Sequence, residues 1–312
     1  MKRSMKRVLT ALAVLVIASA VLLVGCDQGG QAAAEGEGEM TVEKGPVSLA
    51  YVEWARAVAI THVAGEILER QGFDVTLNNV ANAAMWQSVA SQDSDALLAA
   101  WLPATHQMFY GPSGEFSDQV VNLGPNYYGA QLGLVVPAYV EENSIPELVQ
   151  NADKYDGEII GIDPGAGMMQ ATEQAISNDV SGLGSLSLVE GSGPTMTAAL
   201  GQAIDNEEPI VVTGWRPHWK FGRWDLKILE DPEGIFGSSE TINTIVREGL
   251  AEDNLPAYVF FEQFDWTQID LGPVLVSNQD GMDPAESAAQ FVDNNIDQIN
   301  ELMPDKPYFT EM

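Results

Sequence analysis

The sequence has very little cysteine, histidine and basic charge, and each shortage excludes a class of protein. One cysteine in 312 residues cannot form a disulfide within the chain. The three histidines, His62, His106 and His218, have no spacing with cysteine that is typical of a metal site, so we predict no metal and no cofactor. Lys and Arg number 14 against 45 Asp and Glu, which gives a net charge of -31. A nucleic-acid partner is therefore excluded, because binding phosphates needs a basic face.

Motifs of catalysis are also missing. No Gly-x-Ser-x-Gly nucleophile elbow occurs. The glycine-containing turn 163–167 lacks the third glycine of a dinucleotide fingerprint, and no Lys-Ser/Thr pair of a P-loop follows it. We predict that the protein is not an enzyme, and a secreted enzyme remains the alternative from a different class, since pockets occur in both.

The acidic residues are scattered along the whole chain and do not form one tail. At high salt the Debye length falls to ~3 Å, so the mutual repulsion of such a surface is screened. This composition predicts a halophilic or salt-adapted source.

The first residues are typical of an export signal. Basic residues at positions 2, 3, 6 and 7 precede an apolar run from Val8 to Leu23, and the only cysteine, Cys26, follows small residues. A membrane span is the alternative reading of this run. The cysteine at the boundary favours a lipoprotein signal peptide over residues 1–25, with acylation of Cys26. Residues 26–46 then read as a flexible acidic linker that tethers the protein to the outer face of the cytoplasmic membrane.

From Val47 onwards the pattern alternates between short apolar strands and amphipathic helices, which predicts an α/β fold with parallel sheets. Apolar residues at helical spacing predict a helix over Ala55–Arg70. Strands are expected over Gly129–Pro137 and Ile210–Thr213, and one closing helix over Pro284–Leu302. The length suits two lobes, with boundaries that we set at 47–136 and 242–312 for lobe 1 and 137–241 for lobe 2.

Three tryptophans follow predicted strands: Trp54, Trp101 and Trp215. Trp215 is expected between a strand that stops at Gly214 and a helix that starts at Pro217, at the sheet edge where ligands sit in open α/β folds. Aromatic faces attract a diffuse cation by ~0.5–2 kcal/mol per contact in a dry site. Large aromatic residues also fill cores, and Trp219 and the remaining tryptophans are assigned to the core: Trp86, Trp224 and Trp266.

The turn Asp163–Gly167 precedes a helix predicted from about Met168. Free N–H groups at a helix start attract anions, and the glycines let a ligand approach, although an ordinary strand-helix turn has the same pattern. His106, near Trp101, suits a hydrogen-bond donor better than a zinc ligand. A cation cage together with an anion-binding turn indicates a small zwitterionic ligand.

Four segments resemble motifs of the glycine betaine and proline betaine substrate-binding proteins of osmoprotectant ABC importers. The likeness runs from about Val47 to Leu302 and rests on these segments: Tyr51–Trp54, Ala100–His106, Gly161–Met168 and Thr213–Trp219.

The resemblance implies a two-lobed periplasmic-binding-protein fold of type II that closes on its ligand and docks on an ABC permease without making or breaking a bond. It also implies that Trp54, Trp101 and Trp215 surround the trimethylammonium group. The ligand carboxylate would be bound by the backbone N–H groups of Gly167 and Met168 and by the side chain of His106. A binder of choline, carnitine or another betaine is the alternative within the same family.

Overall fold

The computed structural model describes residues 44–304 and 308–312. The predicted signal peptide, Cys26 and nearly all of the predicted linker lie outside the described residues. No helix in the described part of the chain has the length and apolar character needed to cross a membrane.

The described residues form one curled sheet of nine strands flanked by helices. The strands are β1 (Pro46–Tyr51), β2 (Asp74–Asn79), β3 (Ala96–Leu102), β4 (Val120–Pro137), β5 (Glu158–Ile160), β6 (Ser187–Val189), β7 (Val212–Arg216), β8 (Leu226–Ile228) and β9 (Glu240–Arg247).

The helices alternate with these strands through most of the chain and then cluster near its end. They are α1 (Ala55–Arg70), α2 (Asn82–Ala90), α3 (Ile145–Gln150), α4 (Gly167–Ser177), α5 (Gly193–Asp205), α6 (Lys220–Arg223), α7 (Leu250–Asp253), α8 (Leu255–Gln263), α9 (Gly272–Gln279), α10 (Pro284–Asn294) and α11 (Ile296–Leu302).

The strand order is β2-β1-β3-β9-β4-β7-β5-β6, with β8 paired to β4. Strand β4 belongs to both halves of the sheet: residues 120–130 pair with β9, and residues 131–135 pair with β7. Parallel pairing joins β2-β1-β3 in the first half and β6-β5-β7 in the second, as the alternation of strands and helices predicts. The strands in the middle, β9 and β4, run antiparallel to their neighbours.

Helix α1 shows how the sequence specifies these elements. Its buried residues include Ala59, Ile60, Val63 and Ile67, whose spacing places them on one face against the sheet. The helix ends before Gly72, which has a φ of +90°. Glycine adopts this left-handed conformation without a steric cost, so the chain turns there into β2.

Two of the predicted elements around Trp215 are wrong. Strand β7 does not stop at Gly214: it continues to Arg216, so Trp215 lies within the strand, and the next helix begins at Lys220 and not at Pro217. Gly214 pairs with Gly133 of β4, and the space of its missing side chain is occupied by Val135. The glycine therefore serves close packing between strands here and does not end the strand.

The ends of β4 and of the closing helix also differ from the prediction. Strand β4 begins at Val120, nine residues before the expected Gly129, because its first part pairs with β9 far along the chain. The predicted helix over Pro284–Leu302 is two helices separated at Asn295, whose backbone is not helical and whose side chain donates to the carbonyl of Phe291.

Three apolar clusters hold the fold together. One lies under α1, α8 and α10, and another belongs to the second half of the sheet. The remaining cluster contains residues of both halves, such as Leu97 of β3 and Val212 of β7, together with Trp54, Trp101 and Trp215. The three candidate tryptophans are therefore part of the packing between the halves.

Candidate functional site

The structure brings all six candidate ligand residues to one cavity. Its lining combines α1, β3, β4, β7, β9 and the first turn of α4, and thus both halves of the sheet. The lining residues are Trp54, Arg56, Ala57, Ala99, Trp101, Thr105, His106, Leu132, Ile162, Ala166, Gly167, Met168, Trp215 and Ile242.

The three tryptophans reach the cavity from three elements. Trp54 is the residue before α1, Trp101 lies near the end of β3, and Trp215 lies in β7. Their exposed fractions are 8%, 7% and 4%, so each indole is nearly dry. A cation between such faces would be attracted by the ring quadrupoles with little screening by water.

The indole of Trp54 is fixed by a partner in the second half of the sheet. Its Nε1–H donates to Oδ2 of Asp163 at 2.8 Å, and Asp163 follows β5. The Trp54 ring also stacks on the imidazole of His106, with 5.9 Å between the ring centroids. A second bond, from Nδ2 of Asn82 to the carbonyl oxygen of Gly165 at 3.0 Å, joins α2 to the same turn. The halves are thus linked by side-chain hydrogen bonds beside the cavity.

His106 is fully buried, and its two ring nitrogens differ. Nδ1 accepts a hydrogen bond from the backbone N–H of Trp101 at 3.0 Å, while Nε2 has no partner among the described residues. Burial lowers the pKa of His106 to about 3, so the ring is neutral at physiological pH. Because Nδ1 is an acceptor, the proton lies on Nε2. His106 therefore offers one unpaired N–H donor in the cavity.

The first turn of α4 offers two more donors. Ala166 is the N-cap residue and makes no side-chain cap, and the N–H groups of Gly167 and Met168 donate to no acceptor in the described part of the chain. A β-carbon on Gly167 would lie 2.3 Å from the carbonyl oxygen of Thr105. Only glycine therefore allows α4 to approach the turn that carries His106 this closely.

The turn from Leu102 to His106 is held by Glu240, a buried residue at the start of β9. Oε1 of Glu240 accepts from the N–H groups of Ala104 and Thr105 at 2.7 and 2.9 Å, and Oε2 accepts from the hydroxyl of Thr105. Sequence reasoning missed this residue, because nothing local distinguishes Glu240 from the other acids of the chain.

Aspartate and glutamate are absent from the cavity lining of the described residues, and its one formal charge is the buried Arg56. The Arg56 guanidinium donates to Asn126 twice, at 3.0 and 3.2 Å, and lies 5.1 Å from the ring centroid of Tyr127. Burial lowers the pKa of Arg56 to about 10, so it stays charged at neutral pH. Any attraction of a cation to this cavity must therefore come from the aromatic faces.

The other tryptophans and histidines lie outside this lining. Trp86 and Trp266 are buried, and Trp224 is half-buried between two apolar clusters. Trp219 is buried in the cluster under α1. His62 contacts Tyr51, and His218 packs edge-on against Trp215 at 4.8 Å. Within residues 44–304 and 308–312, no group of three His, Cys, Asp or Glu residues could hold a metal ion.

A curled α/β sheet flanked by helices, whose two halves line a nearly dry aromatic cavity with unpaired donors, is the arrangement of a substrate-binding protein of type II. Comparison with known families agrees. The chain belongs to the OpuAC family, the substrate-binding domains of ABC-type glycine betaine transport systems, whose profile matches residues 45–294.

A curated relative is the glycine betaine/carnitine transport binding protein GbuC of Listeria monocytogenes. It is 44% identical over 141 residues, which cover 45% of this chain and 47% of that protein. The matched stretch thus spans about half the length of this relative.

Two solved structures extend the likeness over most of the chain. The closed lactococcal OpuAC in complex with glycine betaine is 40% identical, with a TM-score of 0.77 over 84% of this chain and 100% of that one. The glycine/betaine/L-proline-binding protein ProX of Borrelia burgdorferi is 35% identical, with a TM-score of 0.79 over 85% of this chain and 98% of that one.

Proposed function

We propose that this protein binds glycine betaine outside the cytoplasm and delivers it to an ABC permease. One observation carries the proposal: three indoles line a nearly dry cavity to which the described residues contribute no carboxylate, and unpaired N–H donors line the same cavity. A quaternary ammonium needs no hydrogen-bond acceptor, whereas a primary amine would need one. The donors suit the opposite end of a zwitterion.

In this proposal the trimethylammonium group lies between Trp54, Trp101 and Trp215. The carboxylate accepts from Nε2–H of His106 and from the N–H groups of Gly167 and Met168, at the positive end of α4. The lactococcal relative at 40% identity is described as a complex with glycine betaine, which supports this ligand.

Delivery requires that the site opens and closes. We assign residues 47–136 and 242–312 to one lobe and 137–241 to the other. The bonds from Trp54 to Asp163 and from Asn82 to Gly165 then join the lobes beside the ligand. Closure would remove the ligand from water and strengthen the contacts at both of its ends. The permease would recognise the closed form, and the ligand would be released unchanged.

We further propose that Cys26 carries a lipid anchor that keeps the protein on the outer face of the membrane. The proposal rests on the basic residues, the apolar run and the single cysteine at its boundary. Cys26→Ala should block maturation or release the protein into the medium. Normal processing and unchanged membrane fractionation of the variant would contradict the anchor.

The ligand is tested by titrating the purified protein and following tryptophan fluorescence. Glycine betaine should bind more tightly than choline, which has the same cation and no carboxylate, and carnitine tests whether a longer betaine fits. Tighter binding of choline would mean that the donors of His106, Gly167 and Met168 do not bind a carboxylate. Recovery of intact glycine betaine after long incubation separates a binding protein from an enzyme.

A further inference from the structure

Lys220, the first residue of α6, lies in an environment that is unusual for a lysine. It has no exposed surface, and its Nζ has no hydrogen-bond partner among the described residues. Nζ lies 4.4 Å from the ring centroid of Trp215 and 5.7 Å from that of Phe221. Lysines are rarely buried without a partner, so this position calls for a specific explanation.

The ammonium contacts the same indole that lines the cavity. Trp215 belongs to the cavity lining and Lys220 does not, so Lys220 reaches the ring from the protein interior. Gly214 creates the necessary space, since a β-carbon there would lie 3.2 Å from Nζ of Lys220 and 2.5 Å from Cγ2 of Val135. The glycine next to the aromatic residue thus lets a lysine lie against Trp215.

The charged and titratable groups around Lys220 are few. His218 is affected by the charge of Lys220: burial, together with this charge, lowers the pKa of His218 well below 6.5. The Arg216 guanidinium lies 4.0 Å from the ring centroid of Phe221, and Arg56 and His106 line the cavity together with Trp215. Asp163 is bonded to Trp54, and no carboxylate of the described residues lies within salt-bridge distance of Nζ.

We propose that Lys220 sets the affinity of the cavity for its cationic ligand, because the ammonium of Lys220 and the ligand cation compete for the indole of Trp215. The inference rests on the proposed function. When Lys220 is neutral, Trp215 attracts the ligand alone; when Lys220 is charged, two cations flank one ring. At roughly 9 Å and an effective dielectric constant of about 20, the repulsion between the two cations alone corresponds to roughly a twentyfold weaker affinity. The attraction of Lys220 to the ligand carboxylate offsets part of this repulsion, so the expected net weakening is several-fold.

The competition gives binding a defined pH dependence. Burial lowers the pKa of Lys220 from its ordinary 10.5 to about 7, so both forms exist near neutral pH. Affinity should therefore rise as pH increases from 6 to 8 and level off above. By linkage, the bound ligand lowers the pKa of Lys220 further, and binding near pH 7 releases a fraction of a proton. His106 and His218 stay neutral throughout this range, because burial lowers the pKa of His106 to about 3 and that of His218 well below 6.5.

The test is calorimetric titration with glycine betaine between pH 5.5 and 8.5, in two buffers with different enthalpies of ionisation. The wild type should bind several-fold more tightly at the upper end and release protons near pH 7. Lys220→Met, which keeps the length of the side chain without the charge, should bind with one affinity at every pH. Lys227→Met is the control, since Nζ of Lys227 donates to the carbonyl oxygen of Val140 at 2.6 Å, and it should keep the pH dependence.

Three outcomes are informative. A constant affinity and no proton release in the wild type would overturn the role of Lys220, even if Lys220→Met fails to fold. Retention of the pH dependence in a folded Lys220→Met protein would overturn it as well. Failure of glycine betaine to bind at any pH would instead overturn the proposed function.

Discussion

Two aromatic regions of this protein are equally buried and yet differ in what their rings contact. Trp101 and Trp215 in the cavity have exposed fractions of 7% and 4%, and Trp266 in the cluster under α1 has 3%. Around Trp266 the rings touch one another: Phe264 lies at 4.6 Å and Phe260 at 6.2 Å between centroids. The cavity tryptophans instead share their surroundings with the unpaired donor of His106.

Burial alone therefore does not separate a site from a core. The difference lies in how many donors share one space with the rings. Around Trp266 the neighbours are other rings, and the Nε1–H of Trp266 is a single donor without a partner among the described residues. The cavity combines three indole faces with the donors of His106, Gly167 and Met168. The comparison predicts that substitutions in the two regions affect different measurements.

The largest effect is expected for Trp266→Ala. Removing a buried indole from the packed cluster leaves a hole, so the free energy of unfolding should fall by ~3–5 kcal/mol. Denaturant unfolding measures this loss. The affinity for glycine betaine, extrapolated to the fully folded protein, should stay within about twofold of the wild type. A large loss of affinity with little loss of stability would reverse the assignment of the two regions.

Trp101→Ala and Trp215→Ala should each weaken glycine betaine binding by ~1–3 kcal/mol, because these faces contact a desolvated cation. Their effect on binding should exceed that of Trp266→Ala. Calorimetry of the three variants side by side provides the measurement. Equal losses of affinity at all three positions would mean that the cavity and the core have been confused.

A smaller effect is expected for Asp163→Asn. The substitution keeps an acceptor for the Nε1–H of Trp54 but removes the charge that strengthens the bond, so affinity should fall by about 1 kcal/mol. Asp153→Asn, at an exposed position between α3 and β5, is the matched control. An Asp163→Asn protein that binds like the control would show that this bond does not hold the Trp54 indole for the ligand.

Salt should change the stability of the folded protein, through its acidic surface, much more than the affinity of the cavity for its ligand. With a net charge of -31, many acid pairs repel in dilute buffer, each by a few tenths of a kcal/mol. The melting temperature should therefore rise between low and molar salt, whereas the affinity for a zwitterion without net charge should change little. A melting temperature that does not respond to salt would contradict the salt-adapted surface.

The sequence predicts those parts of the molecule whose cause is local. Helix α1 has the predicted bounds, Ala55–Arg70, because its apolar period and its terminal glycine lie within the segment. The six candidate ligand residues come together at one cavity because the parallel strands of each half bring their carboxyl ends to one edge, and both halves contribute their edge to the cavity lining.

The remainder depends on partners that are distant along the chain. Strand β7 continues through Gly214 because Gly133 and Val135 of β4 pack against it. Glu240 accepts hydrogen bonds from Thr105 and Ala104, which lie 135 and 136 residues earlier in the chain. The contact between Lys220 and Trp215 likewise cannot be predicted from the spacing of the two residues. Contacts of this kind follow from the tertiary fold, which local propensity does not encode.

The central claim, that the cavity selects a quaternary ammonium, is tested most directly by removing methyl groups from the ligand. Three indole faces provide no hydrogen-bond acceptor, so dimethylglycine would bury its N–H without a partner at a cost of ~1–3 kcal/mol and lose one methyl contact. Calorimetry should show an affinity that falls at each step from glycine betaine to dimethylglycine, sarcosine and glycine. Glycine binding as tightly as glycine betaine would contradict the account, and the site would then be an amino-acid pocket in which a carboxylate such as Asp163 or Glu53 pairs with the ammonium.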